Sequence, residues 1–304
     1  MGNIAFVFSG QGAQKVGMGY SFYEKYPEVR ELYDNAEKIR PGTLGQMFEG
    51  SDEELRQTRN TQPCLYLADI APALALSVAG VQPNALAGFS LGEIPALAFG
   101  GAFSYEEGFK ISTLRGKLMA QAAESNPATM AAVLKLENNE VEDICSKYKG
   151  IYPANCNCPG QVVVSGAADI MPSFCEDVKA AGGRTIMLNV SGGFHSPFME
   201  EAAKGFSKEL ENFEITLPKI PTFSNFTSNP YEGNPRELLV RQITGSVRWE
   251  ETIKNMVSVG IDTFIECGIG GVLQKLILKI APGCRTFCVE NAEQSEEVAK
   301  EVEK

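Results

Sequence analysis

The chain has 304 residues, 44% of them hydrophobic, which is enough to fill the core of one large α/β domain or of a large domain with a smaller one. Its net charge of −11 argues against nucleic acid as a partner, because neutralising phosphates requires a basic face. No segment approaches the ~20 apolar residues that span a bilayer, and the chain enters its first strand without a basic leader. We therefore expect no membrane segment and a cytoplasmic location.

The eight cysteines are expected to be reduced thiols, because a chain of this size without a secretory signal needs no disulfide framework. Cys156 and Cys158 form the only tight pair, and they lack a second ligand pair or histidines at the spacing of a zinc site. The sequence therefore predicts no bound metal.

The first part of the chain alternates apolar strands with helical patterns. The apolar run at 4–8 predicts a buried parallel strand, helical periodicity follows at 28–40 and 62–79, and a short strand is expected at 84–87. Ser104-Tyr105-Glu106-Glu107 is a capping box that opens a helix reaching about residue 124. Asn126-Pro127 ends that helix.

Residues 126–193 show a different order of predicted elements, with strands expected at 130–136, 151–155, 161–165 and 184–190 and helices at 139–148 and 168–180. This β-α-β-β-α-β order predicts a ferredoxin-like (split βαβ) subdomain. Beyond it, helices at 198–213, 235–244, 249–259, 271–280 and 293–304 alternate with strands at 220–224, 262–266 and 285–289. We predict an α/β fold with a mostly parallel sheet, in which a hydrolase-like catalytic core (1–125 and 194–304) carries an inserted subdomain (126–193).

The pentapeptide Gly88-Phe89-Ser90-Leu91-Gly92 follows a short apolar strand and precedes a helix start. G-x-S-x-G in this setting is typical of a nucleophile elbow, in which small residues let the backbone turn sharply and lift the serine hydroxyl clear. If imidazole activates this serine, the base must be His195, because the chain contains no other histidine. His195 follows the last predicted strand of the insertion, in a loop rich in small residues.

Each of these patterns also has a structural interpretation. With 30 glycines in the chain a G-x-S-x-G match can arise by chance, and a single histidine is more often a packed or surface residue than a catalyst. Two glycine-rich stretches fail as dinucleotide-binding fingerprints, because Lys15 and Leu273 stand where the third glycine belongs. The Gly10-Gln11-Gly12 turn can instead bring a backbone N–H close to a developing oxyanion.

Five segments occur in order along most of the chain: FSGQGAQ at 8–14, AGFSLGE at 87–93, TLRGKLM at 113–119, NCPGQVVVSG at 157–166 and GFHSPFM at 193–199. In this order they resemble the signatures of the malonyl-CoA:acyl carrier protein transacylase family. Five segments together are far more specific than any one of them.

The resemblance implies ping-pong acyl transfer, in which Ser90 is the nucleophile, His195 the general base, and the backbone N–H groups of Gln11 and Leu91 the oxyanion hole. It also implies that the backbone carbonyl of Gln242, and not an acid, orients His195, which gives a Ser-His dyad. The substrates are then malonyl-CoA and the phosphopantetheine thiol of an acyl carrier protein in fatty acid or polyketide synthesis. No permanently bound cofactor is expected.

Three residues bear on substrate choice. The resemblance implies that Arg115 grips the malonyl carboxylate in a bidentate pair, whereas its helical setting alone predicts a solvated arginine. Phe89 stands where the family usually has histidine, a departure that concerns fine tuning and not the reaction. Gly193-Phe194 replaces the commoner proline-containing turn and is similar to the malonyl-selective acyltransferase domains of polyketide synthases. We therefore expect Phe194 to favour malonyl over methylmalonyl.

A basic patch is expected on this acidic chain if it binds an acyl carrier protein, because such carriers are themselves acidic. Arg184, Lys275 and Lys279 match places where the family presents basic residues to its carrier. Their alternative interpretation is ordinary solvated charge. The protein is expected to be a monomer.

Two other functions remain open at this point. A serine esterase or thioesterase uses the same elbow, but it requires an acid to orient His195. The aspartates between Ser90 and His195, namely Asp143, Asp169 and Asp177, all lie in the pattern of the inserted subdomain. A non-catalytic module that docks a carrier protein predicts no covalent adduct with malonyl-CoA.

Overall fold

The computed structural model describes residues 2–190 and 192–302, so Met1, Ser191, Glu303 and Lys304 lie outside the described residues, including the end of the helix predicted at 293–304. The strands are β1 Asn3–Phe8, β2 Ala85–Gly88, β3 Thr129–Leu134, β4 Ile151–Cys158, β5 Gln161–Gly166, β6 Arg184–Met187, β7 Thr222–Phe223, β8 Ile261–Cys267 and β9 Arg285–Val289.

The α-helices are interspersed among these strands, and two 3₁₀ turns occur at Ser90–Gly92 and Pro197–Met199. In chain order the helices are α1 Tyr20–Lys25, α2 Pro27–Ile39, α3 Thr43–Glu49, α4 Asp52–Leu55, α5 Thr58–Val78, α6 Glu93–Phe99, α7 Tyr105–Ser125, α8 Asn138–Cys145, α9 Met171–Ala180, α10 Glu200–Leu210, α11 Pro235–Thr244, α12 Trp249–Ser258, α13 Val272–Ile280 and α14 Ala292–Val302.

The larger sheet has five strands in the order β7-β2-β1-β8-β9, and every pairing in it is parallel. Along β1 the side chains alternate between two apolar clusters: Phe6 and Phe8 pack on the side of α5, while Ala5 and Val7 pack on the side of α12 and α13. Helices therefore cover both faces, as the sequence predicts. The carboxyl ends of β1 and β2 lie side by side, with Phe8 opposite Gly88.

The smaller sheet has four antiparallel strands in the order β4-β5-β3-β6. The chain enters it in the order β3-α8-β4-β5-α9-β6, and α8 and α9 pack on a separate apolar cluster that includes Val133, Ile144 and Phe174. A main-chain bridge links this sheet to the rest of the molecule, because the Cys156 N–H donates to the Val247 carbonyl at 2.9 Å. Strand β4 of the smaller sheet therefore lies against the loop before α12.

Most element positions follow the sequence prediction, and the differences lie at the ends of elements. The helix predicted at 168–180 begins at Met171, because Pro172 fits the first turn of a helix. The helix predicted at 198–213 occupies only Glu200–Leu210, because a 3₁₀ turn capped by Ser196 precedes it. The strand predicted at 184–190 ends at Met187, and the strand predicted at 151–155 continues to Cys158.

The short helices α1, α3 and α4 are not predicted by the sequence pattern. Each has seven residues or fewer, which is less than two turns. A 3.6-residue period of apolar side chains cannot be recognised in so short a segment.

The turn after β2 has the backbone of a nucleophile elbow. Ser90 has a φ of 54°, in the left-handed region that non-glycine residues rarely occupy. A side chain at Gly88 would overlap the backbone of Gly92, and a side chain at Gly92 would overlap the carbonyl of Phe8 on β1. Both glycines of the motif are therefore required by close backbone approach, and the turn carries Ser90 to the carboxyl edge of the parallel sheet.

Candidate active site

Ser90 and His195 meet at hydrogen-bond distance, although 105 residues separate them. Ser90 Oγ lies 2.7 Å from His195 Nε2, and His195 Nδ1 donates to the backbone carbonyl of Gln242 at 2.8 Å. A carbonyl can only accept, so the neutral ring carries its proton on Nδ1 and leaves Nε2 free to accept the serine proton. His195 itself has a φ of 57°, so both members of the pair occupy left-handed backbone positions.

The imidazole of His195 is buried and held neutral. Burial, followed by the nearby Arg115 guanidinium, lowers the pKa of His195 from 6.5 to about 4. At pH 7 the ring is therefore an unprotonated base. The described residues place no carboxylate within hydrogen-bond distance of Nδ1, so the orienting role is filled by the main chain.

Arg115 is a buried member of the site, and the solvated arginine expected from the helical pattern alone is wrong. Only 1% of the residue is exposed. From α7 its guanidinium donates to Gln62 Oε1 and to Gln242 Oε1, both at 2.9 Å, and to Ser90 Oγ at 3.3 Å. Burial lowers the pKa of Arg115 to about 10, with Glu93 opposing the shift, so the side chain remains a cation at pH 7.

The side chain of Gln242 connects the other members of the site. Its Nε2 donates at 2.7 Å both to the Ser90 carbonyl and to Glu93 Oε2, while its Oε1 accepts from Arg115. The sequence assigns Gln242 only a backbone carbonyl, through the family resemblance. Its side-chain contacts could not be inferred from the sequence.

Sequence reasoning misses three further residues that are buried beneath the elbow. Asn225 accepts from the Ser90 N–H at 2.7 Å and donates to the Gly88 carbonyl at 2.5 Å, which fixes the turn. Glu93 accepts from the hydroxyl of Tyr231 and from the Asn225 N–H. Glu93 lies within the elbow segment itself, whereas nothing in the local sequence singles out Asn225 or Tyr231.

The two predicted oxyanion donors belong to the two turns that converge on Ser90. Leu91 follows Ser90 and is fully buried, and Gln11 lines the cavity at the serine. The Gln11 side chain donates to Thr58 Oγ1 at 3.1 Å, which anchors the turn after β1 to α5. A side chain at Gly10 would overlap Phe89, so the two turns are in close contact.

Two adjoining cavities lead to the serine. The inner cavity has a volume of about 100 Å³ and is lined by Ser90, His195 and mostly apolar side chains, Met119, Met130, Leu188, Val190 and Phe194 among them. The outer cavity, of about 250 Å³, runs between the turn after β1, the strands β4 and β5, and α13. Both are bordered by the same four residues, which therefore form a neck between them: Gln11, Phe89, Asn155 and Leu188.

Phe89 and Phe194 occupy different walls of this route. The ring of Phe89 packs edge-on against the buried Trp249, with centroids 5.6 Å apart, at the neck. Phe194 is buried, precedes His195 and lines the inner cavity. Its carbonyl accepts from the Ser165 hydroxyl at 2.6 Å, which ties this loop to β5 of the smaller sheet.

The three predicted docking residues are all exposed. Lys275 and Lys279 project from α13, the helix that contributes Val272 and Leu276 to that cavity, and Arg184 begins β6. No acidic partner lies within 4 Å of their charged groups among the described residues. Large exposed apolar side chains accompany them, namely Ile186, Met187, Val272 and Leu278.

Metal-binding and membrane features are not found in the described parts of the chain. Residues 2–190 and 192–302 contain no cluster of three or more His, Cys, Asp or Glu side chains that could hold a metal ion. None of the helices described is both long and apolar enough to cross a membrane. All eight cysteines are unpaired.

Comparison with known proteins identifies the family. Residues 5–283 match the acyl transferase domain family. The chain is 36% identical over 304 residues to the malonyl CoA-acyl carrier protein transacylase of Bacillus subtilis, an alignment that covers 97% of this chain and 96% of that protein.

Solved structures agree with this match. The malonyl CoA-acyl carrier protein transacylase of Clostridium perfringens superposes with a TM-score of 0.95 at 32% identity, covering 99% of this chain and 97% of that one. A malonyl transacylase solved in complex with a type II polyketide synthase acyl carrier protein superposes with a TM-score of 0.94 at 30% identity, covering 98% and 99% of the two chains. On its sequence and its fold, the chain belongs to the acyl transferase domain family.

Proposed function

We propose that this enzyme transfers the malonyl group from malonyl-CoA to the phosphopantetheine thiol of an acyl carrier protein, through an acyl-enzyme on Ser90. The observation that carries the proposal is the buried guanidinium of Arg115, 3.3 Å from the nucleophilic hydroxyl. A cation at that position can form an ion pair with the carboxylate of an acyl group that is being transferred to Ser90. The names of the related transacylases support the same substrates.

The chemistry follows from the Ser90–His195 geometry. As Ser90 Oγ bonds to the thioester carbon, its proton passes to His195 Nε2, and the oxyanion that forms accepts hydrogen bonds from the N–H groups of Gln11 and Leu91. Collapse of this intermediate breaks the C–S bond, and the imidazolium returns the proton to the departing CoA sulfur. The pantetheine thiol of the carrier then reverses these steps, giving up its proton to His195 and releasing Ser90.

Substrate choice is proposed to reside in Arg115 and in the small inner cavity. The guanidinium, now bonded to the amide oxygens of Gln62 and Gln242, can turn donors toward an acyl carboxylate while Gln242 keeps it in place. A volume of about 100 Å³ suits a short acyl group. Phe194 lines that volume, so we propose that its ring crowds an α-methyl branch and favours malonyl over methylmalonyl.

The division of the chain into a core and an inserted subdomain is also part of the proposal. We propose a hydrolase-like core at 1–125 and 194–304 with a ferredoxin-like insertion at 126–193. The all-parallel sheet that ends in a nucleophile elbow supports the first, and the β-α-β-β-α-β order of β3 to β6 with antiparallel pairing supports the second. We also propose that the protein acts as a monomer.

The two alternative functions fit the geometry less well. A hydrolase triad would place an acid on His195 Nδ1, where the Gln242 carbonyl lies instead. A docking module without activity has no need of a 2.7 Å contact between Ser90 Oγ and a neutral, buried imidazole.

The acyl-enzyme is the direct test of the proposed function. Incubation with malonyl-CoA, followed by intact-mass analysis, should show one malonyl adduct on the wild-type protein and none on Ser90→Ala, because the variant lacks the nucleophile. His195→Ala should acylate about 10² to 10⁴ times more slowly, as expected when a general base is lost. A malonyl adduct that persists on Ser90→Ala would contradict the assignment.

Arg115→Ala should abolish the preference for a carboxylated acyl group. Its removal leaves the malonyl carboxylate unpaired, whereas acetyl-CoA never used the contact, so the ratio of malonylation to acetylation rates should fall by roughly 10²-fold. Arg115→Lys keeps the charge but not the bidentate geometry and should give an intermediate ratio. Equal losses for both thioesters would instead favour a structural role for this arginine.

The exposed basic residues proposed to dock the carrier should matter only for the carrier half-reaction. Reversing Arg184 and Lys279 to Glu should raise KM for the acyl carrier protein and weaken its salt dependence, while acylation by malonyl-CoA stays unchanged. The matched control reverses Lys110 and Lys208, which are exposed on α7 and α10. Measuring the two half-reactions separately decides the point, and a carrier half-reaction untouched by the first pair would place the docking surface elsewhere.

A further inference from the structure

Glu93 is a buried carboxylate behind the nucleophile that the proposed reaction does not use. It is the first residue of α6 and is fully inaccessible to solvent. One oxygen accepts from the Tyr231 hydroxyl, and the other accepts from Gln242 Nε2 at 2.7 Å and from the Asn225 N–H at 3.3 Å. Three donors converge on it, which is an arrangement suited to an ionised carboxylate.

A single amide separates this carboxylate from the guanidinium of Arg115. Gln242 Oε1 accepts from Arg115 Nη2 at 2.9 Å, and the Nε2 of the same side chain donates to Glu93. Both charged groups are buried. A buried cation is costly without a counter-charge nearby, and Glu93 supplies one when no acyl carboxylate is present.

We propose that Glu93 is the resident counter-ion of Arg115, and that Glu93 takes up a proton from solvent when the carboxylate of an acyl group binds to that arginine. Two carboxylates around one guanidinium in a buried volume repel each other, so one of them is neutralised. Glu93 acts through Gln242 and Arg115, which makes it a positioning residue. The inference rests on the proposed function, because it requires a carboxylated substrate.

The titratable groups that face Glu93 come from three elements: Arg115 from α7, Tyr231 from the segment after β7, and His195 across the Gln242 peptide. Burial raises the pKa of Glu93 from 4.5 to about 7, against the opposing effects of its three hydrogen bonds and of Arg115. Burial also raises the pKa of Tyr231 well above 10 and lowers that of His195 to about 4. Between pH 6 and 8 the group that titrates in this cluster is therefore Glu93.

The sign of the pH dependence follows from these charges. As the pH falls through about 7, Glu93 takes up a proton and Arg115 becomes free to bind an acyl carboxylate. Above pH 7 the ionised Glu93 competes with that carboxylate for the guanidinium. An acetyl group carries no carboxylate, so the ionisation of Glu93 does not compete with its binding. Selectivity for malonyl over acetyl should therefore decrease as the pH rises through about 7.

The test is the pH dependence of the two acylation rates. The second-order rate constant for acylation of Ser90 is measured in single-turnover experiments with malonyl-CoA and with acetyl-CoA, from pH 6 to 8.5. The acyl-enzyme is quantified by intact-mass analysis. The malonyl-to-acetyl ratio should fall about threefold to tenfold between pH 6 and 8 in the wild-type enzyme. A ratio that does not change with pH overturns the inference.

Two variants separate this proposal from a general structural effect. Glu93→Gln has no carboxylate to ionise, so the ratio should become independent of pH. Tyr231→Phe keeps the carboxylate but removes a hydrogen bond that favours its ionised form, so the step should move to higher pH. A step that stays at the wild-type pH in Tyr231→Phe overturns the inference, even if Glu93→Gln does not fold.

Failure of the inference and failure of the proposed function are distinguishable. If neither thioester acylates Ser90, the proposed function is wrong. If both do so with a ratio that is constant across the pH range, only the role of Glu93 is overturned.

Discussion

The site depends on one neutral residue, Gln242, which holds every charged or reactive group around it. Its carbonyl accepts from His195, its amide oxygen accepts from Arg115, and its amide N–H₂ donates to Ser90 and Glu93. An acid at this place would form a buried ion pair with Arg115 and remove the positive charge that a carboxylated substrate needs. An amide positions the same partners and leaves the guanidinium charge available.

Burial and a nearby cation together set the protonation state of His195. Burial, followed by the positive charge of Arg115, lowers the pKa of His195 to about 4, so the ring is neutral at pH 7. Because burial is the larger cause of this shift, His195 remains a neutral base at pH 7 whichever carboxylate faces Arg115.

The contact between Ser90 and His195 follows well from the sequence, whereas its surroundings do not. Ser90 stands in a motif whose two glycines are required by backbone contacts, and His195 is the only histidine, so the pairing could be inferred directly. The burial of Arg115 could not be inferred, because a helical pattern does not show that the far end of a long side chain reaches beneath another element. Asn225 comes from a remote segment with no recognisable motif of its own. Likewise, the alternation of elements predicts the parallel sheet, but helices shorter than two turns leave no period to detect.

The central feature of the site is a main-chain carbonyl that holds a neutral imidazole, with its proton on Nδ1 and its free nitrogen on Ser90. Because the chain contains one histidine, ¹⁵N-histidine labelling gives a single NMR signal pair that reports the tautomer and the pKa of His195 alone. We predict the Nδ1–H tautomer, unprotonated from pH 8 down to about pH 5, with a midpoint near 4. An Nε2–H tautomer, or a ring that is protonated at pH 6.5, would contradict the account.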